Sequence, residues 1–143
     1  MTHTFTIVGE PMGKQRPRFS RAGGFVRTHT PQQTANYEQW VRLSYMQQGG
    51  RKPFPDDAPL AVTIKAYFKI PKSASKRRAA LMRQDAIRPT KKPDCDNICK
   101  IVLDALNGLA YKDDAAVVAA DVEKHYAPDG EPKVVVTIEE IET

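Results

Sequence analysis

The order of apolar and polar positions predicts strands interrupted by helices. Thr4 to Val8 sets Phe5 and Val8 among threonines and reads as a short strand; Gly9, Pro11 and Gly13 then open a basic loop. Pro31, at a first helical position after Thr30, opens a helix to about Gln48, in which Tyr37, Trp40, Val41 and Tyr45 recur at helical spacing before Gly49 and Gly50 stop it. That aromatic stripe reads as core. Arg51 to Pro59 is a proline-containing loop, and Leu60 to Ile70 places Leu60, Val62, Ile64, Ala66, Phe68 and Ile70 at every second position, a half-buried strand. Ser73 to Arg83 suits a short basic helix, and Ala86 to Pro93 a linker. Asp96 to Asn107 has helical periodicity, with Gly108 as its stop. Val117–Tyr126 and Lys133–Ile141, joined by Ala127 to Glu131, read as two strands of a closing hairpin. This predicts an α+β fold, a mixed sheet of about four strands with helices packed on it.

At 143 residues and 41% hydrophobic, one domain over residues 1–143 can bury a core without staples. The longest uncharged apolar run, Ala115 to Ala120, is far too short to span a bilayer, and the opening Met-Thr-His-Thr-Phe-Thr lacks a signal pattern, so a cytoplasmic protein away from membranes is expected. Cys95 and Cys99 read as reduced packing residues.

Charge changes the picture through its distribution rather than its net value of +5. Pro11 to His29 holds Lys14, Arg16, Arg18, Arg21 and Arg27 and no acid. Lys65 to Lys92 holds ten bases, among them Lys72, Lys76, Arg77, Lys91 and Lys92, against Asp85 alone. The sign then reverses: from Asp94 to Glu123 seven acids face only Lys100 and Lys112. Acids enclosed by basic segments suit a metal-dependent enzyme acting on a polyanion; they also suit a solvated protein with segregated surface charge.

The acid block carries the candidate chemistry. On a helix Asp96, Lys100, Asp104 and Asn107 share one stripe, while Ile98, Ile101, Val102, Ala105 and Leu109 face away from it. A helix start uses one capping carboxylate, yet Asp94 and Asp96 both follow Pro93, leaving one over. Asp113 and Asp114 add two more before the next strand. Asp94, Asp96, Asp113 and Asp114 can converge as hard oxygen ligands, which favour Mg²⁺, with Mn²⁺ as a substitute, over zinc. His3, His29 and His125 show no ligand spacing.

The run from Lys92-Pro93-Asp94-Cys95-Asp96-Asn97-Ile98-Cys99-Lys100 through Asp104-Ala105-Leu106-Asn107-Gly108 to Asp113-Asp114-Ala115-Ala116-Val117 resembles the motif of the RusA family of Holliday junction resolvases. Gly9-Glu10-Pro11, Lys14, Arg16-Pro17-Arg18, Thr30-Pro31, Thr34, Tyr37-Glu38 and Val41 resemble the amino-terminal half of its phage-type members. The resemblance implies a RusA-like, homodimeric, Mg²⁺-dependent endodeoxyribonuclease that resolves four-way DNA junctions by symmetric nicking, in recombination and repair. Asp94, Asp96 and Asp114 match the family's metal-binding catalytic aspartates and Lys100 its catalytic-site lysine; Asp113, Asn97 and Asp104 match further family positions. Lys14, Arg16, Arg18, Lys72, Lys76, Arg77, Lys91 and Lys92 are expected to contact DNA phosphates. Two other readings fit the residues: a non-catalytic nucleic-acid-binding module, and a metal nuclease for branched or single-stranded DNA.

Overall fold

The computed structural model describes residues 1–15, 18–22, 25–29, 31–50 and 52–142. The elements run β1 (Thr2–Val8), β2 (Arg18–Ala22), β3 (Phe25–His29), α1 (Gln32–Gln47), β4 (Leu60–Phe68), α2 (Lys76–Arg83), α3 (Cys95–Ala105), a 3₁₀ turn at Asp114–Ala116, β5 (Val117–Tyr126) and β6 (Lys133–Glu140). The expected α+β class with a four-stranded mixed sheet holds. Strand order is β1-β6-β4-β5, with β4 and β5 parallel and the other neighbours antiparallel, and β2 pairs with β3 as a separate ribbon.

The closing hairpin is corrected: β5 and β6 do not pair but flank β4 on its two sides. Composition explains the arrangement. Leu60, Val62, Ile64, Ala66 and Phe68 are all buried, which suits the strand between two neighbours, whereas Val118, Ala119, Ala120 and Asp121 of β5 are exposed, as on an edge. β6 contributes Val134, Val136 and Ile138 to the core and takes the other side of β4, in register from Leu60↔Glu140 to Tyr67↔Lys133. The β2–β3 ribbon falls in the segment expected to be loop. The pair Gly23-Gly24 between two short runs bearing Phe19, Phe25 and Val26 was the available hairpin signal.

Helix α1 begins one residue later than predicted, because Pro31 keeps an extended backbone (ψ 144°) and acts as the cap. Tyr37, Val41 and Tyr45 enter the core, but Trp40 lies partly in solvent, its indole N–H donating to the Val8 carbonyl at 2.8 Å. In β1 the core residues are Phe5 and Ile7, and Val8 points outward. Helix α3 buries Ile98, Ile101, Val102 and Ala105, the face its periodicity predicted.

Everything between β4 and β5 forms one crossover that carries α2, the linker and α3. Clamps on β5 fix the start of the linker: Arg88 Nε donates to the Lys124 carbonyl at 2.9 Å, and His125 meets Asp85 at 2.8 Å. The thiol of Cys95 lies 3.7 Å from the Val122 carbonyl, setting the start of α3 beside the middle of β5. Its other end sits against the residues that lead into β5, so α3 runs antiparallel to that strand.

Candidate active site

Asp94 is the cap of α3, its Oδ1 accepting the Asn97 N–H at 2.9 Å. Asp96, in the first turn and exposed, has no hydrogen-bond or ion-pair partner among the described residues. Asp113 caps the 3₁₀ turn, accepting the Ala115 N–H at 3.2 Å. Asp114 is gripped at two points by Asn107: its own N–H donates to Asn107 Oδ1 at 2.7 Å, and Asn107 Nδ2 approaches its Oδ2 at 3.5 Å.

Cys99 lies between Asp96 and Asp114 in chain order, one turn into α3 from Asp96. Burial pushes its thiol above the ordinary range, and the negative charges of Asp96 and Asp114 push it further. The Tyr111 hydroxyl is also held well above its usual range, by burial first and then by Asp114 and Asp104. It donates to the Leu103 carbonyl at 2.7 Å, tying the loop after α3 to the helix.

The expected convergence of four aspartates is not a gathered cage. Among the described residues no three His, Cys, Asp or Glu side chains stand close enough to hold one ion. Asp94 and Asp113 each turn one oxygen onto a backbone amide. Oxygen donors of this chemistry would suit a hard divalent cation rather than zinc. Asp96 is unpaired, Asp114 is preset by a neutral amide rather than by a base, and both add negative charge at Cys99.

The cations divide into two kinds. Lys100 is 62% exposed, 3.9 Å from Asp104, and free to reach a ligand. Lys14, expected at DNA, is 18% exposed, with its ammonium 3.1 Å from Glu38 and 3.4 Å from Asp104; two carboxylates already match its charge. Lys72, Lys76, Arg77, Lys91 and Lys92 are exposed, and Lys91 stands over the Phe68 ring. Arg16 lies outside the described residues, and Arg18 is placed only as the first residue of β2.

Three positioning residues escaped the sequence reading. Asn107 was placed on the stripe, but its grip on Asp114 was not foreseen. Arg42 of α1 donates through Nη1 to the carbonyls of Ala105 at 2.9 Å and Asn107 at 3.2 Å, a cation at the negative end of α3. Gly13 passes so close to the start of α3 that an added Cβ would stand 2.8 Å from the Asn97 Cβ and 2.9 Å from the Pro93 Cβ. The neighbouring Lys14 N–H donates to the Asn97 carbonyl at 2.9 Å. A close approach of this kind has no short-range sequence pattern.

A mixed α+β sheet whose crossover carries an unpaired carboxylate at a helix start and an amide-held one before the next strand, with exposed lysines on the same crossover, defines a class suited to phosphodiester chemistry. The sequence model of the family described as Endodeoxyribonuclease RusA matches residues 8–139, and the chain belongs to that family. The uncharacterized protein YqaN of Bacillus subtilis (strain 168) is 40% identical over 139 residues, covering 96% of this chain and 95% of the relative. Among the described residues no helix is long and apolar enough to cross a membrane.

Proposed function

We propose that this endodeoxyribonuclease is Mg²⁺-dependent and resolves four-way DNA junctions as a homodimer, nicking two symmetric strands in recombination and repair. The observation that carries the reading is the pair of hydrogen bonds by which Asn107 presets Asp114, in a chain whose Asp96, at the start of the neighbouring helix, is exposed and without a partner among the described residues. Asp96 and Asp114 would hold the cation, with Asp94 contributing the oxygen that its cap leaves free. Bound Mg²⁺ supplies a more acidic water and neutralises charge on the phosphate.

The chain's own residues do the positioning. Lys100, one helical turn beyond Asp96 and exposed, meets the phosphate and favours the added negative charge of the transition state. Asp104 keeps that ammonium on the acid side of the helix. Asn107 holds Asp114 by neutral hydrogen bonds, so its charge stays available. Two sites related by a two-fold axis match two equivalent strands of one junction.

The test is a nicking assay on a synthetic four-way junction with Mg²⁺, beside flap, duplex and single-stranded substrates. Asp96→Asn is expected to lower nicking at least about 100-fold while metal-free junction binding persists. Undiminished cutting by Asp96→Asn overturns the ligand assignment. Equal cutting of all four substrates moves the reading to a general branched-DNA nuclease. Sedimentation equilibrium should return twice the chain mass.

A further inference from the structure

The chain enters α3 from a stretch with little of its own to hold it. Residues 88–93 belong to no helix or strand, and among the described residues none of them makes a backbone-to-backbone hydrogen bond. The Lys91 carbonyl, three residues before Asp94, is the one backbone group of this stretch with a hydrogen-bond partner among the described residues, and that partner is the Lys124 ammonium. A charge-assisted bond of this kind is about twice as strong as one between neutral groups.

Lys124 is preorganised for that bond. Its ammonium lies 5.4 Å from the centre of the Phe68 ring, so the long side chain is laid along an aromatic face before the carbonyl is met. It forms no ion pair among the described residues, and no carboxylate there competes with the carbonyl for it. The Lys124 carbonyl in turn accepts Arg88 Nε at 2.9 Å, so one residue of β5 fastens the stretch at Arg88 and again at Lys91.

The place of Lys124 in the fold ties it to the acids. Asp94 is bracketed by two contacts to β5: Lys91 before it meets Lys124, and the thiol of Cys95 after it lies 3.7 Å from the Val122 carbonyl. A thiol is a weak donor, so the lysine makes the stronger of the two. At its other end β5 begins at Val117, directly after the 3₁₀ turn that opens with Asp114. One strand thus follows Asp114 at its head and, through Lys124, holds the approach to Asp94 and Asp96.

We infer that Lys124 is a positioning residue of the nuclease reaction: by holding the Lys91 carbonyl it sets the start of α3, with Asp94 and Asp96, in place relative to the strand that follows Asp114. The inference rests on the nuclease reading and deepens it. Lys124 acts through the backbone and takes no part in the chemistry.

The test compares the wild type with Lys124→Met, which keeps the apolar stem and removes the donor, with Lys124→Arg, which keeps a donor and the charge, and with Lys133→Met. Lys133 is a second half-buried lysine set over a ring, that of Tyr67, but on β6, so its variant controls for net charge and for loss of such a contact. Amide hydrogen exchange is read in EDTA and without DNA. Lys124→Met should speed exchange about tenfold at Asn97 and Ile98, whose N–H groups bond to Asp94, while Val102 further along α3 is unchanged. Nicking of the four-way junction at saturating Mg²⁺ should fall about 10–100-fold in kcat, with junction affinity in EDTA within about twofold of the wild type. Lys124→Arg should restore both, and Lys133→Met should show neither loss. Unchanged exchange at Asn97 and Ile98 overturns the proposal, as does exchange that rises equally through Val102, because the lysine then supports the helix as a whole. Weaker junction affinity with kcat kept overturns it in favour of a direct phosphate contact by Lys124. The two failures are distinguishable: a wild type that does not nick overturns the nuclease reading, whereas exchange in EDTA judges the hold of Lys124 on the helix start without any nicking.

Discussion

Asn107 is the residue on which the geometry of Asp114 turns. It accepts the Asp114 N–H and reaches the carboxylate, so truncation removes the acceptor of a half-buried amide and frees the side chain. Asn107→Ala is expected to cost about 1–3 kcal/mol of stability and about 10–100-fold in nicking. Denaturant melts and the junction assay read the two effects separately, and full activity would remove Asn107 from its positioning role. The sequence offered Asn107 only as one member of a polar stripe. Side-chain spacing told which residues share a helix face, while the partner across a turn depends on how the chain folds back at Gly108, whose φ of +75° lies where glycine is favoured. By contrast, the division of labour between Asp94 and Asp96 was legible, because a helix start has one cap and both acids followed one proline.

At the scale of elements, the loop that follows β1 braces α3. Gly13 touches its first turn and Lys14 joins α1 to α3 through Glu38 and Asp104. Lys14→Met removes the one cation at Glu38 and leaves Asp104 only the exposed Lys100, and we expect a loss of about 1–3 kcal/mol, near 4 °C of Tm per kcal/mol at this size. A thermal melt checks it; an unchanged Tm would show that the lysine is dispensable to the fold. Gly13→Ala pushes the start of α3, and with it Asp94 and Asp96, away from the loop. Its nicking should fall more steeply than its stability, which overpacking lowers by about 1–3 kcal/mol. Strands, helices and their ends were largely readable from periodicity. Their neighbours were not: Ala127 to Glu131 carries the composition of a hairpin turn, yet the exposed β5 and the apolar β4 settled the order of the sheet, a comparison between distant segments.

For the whole molecule, three buried phenols set a limit at high pH. Burial raises the hydroxyls of Tyr37, Tyr45 and Tyr111 above the ordinary value of 10.0. The native state keeps these protons while the unfolded chain releases them near pH 10, so the stability they contribute is full below pH 10 and is lost as pH climbs beyond it. Urea midpoints should be level between pH 8 and 9 and fall steeply above pH 10; midpoints that stay level beyond pH 10 would contradict the burial. The crossover bears on how such an enzyme comes into being. Asp94, Asp96, Asp113 and Asp114 all belong to the stretch that joins two parallel neighbours, so the helix and the turn that bear them take their final places only when β5 closes on β4. Pairing of that kind is slow, being non-local. A newly made chain is thus harmless to DNA until its last long-range contact is in place, and activity during refolding should lag behind the recovery of helix.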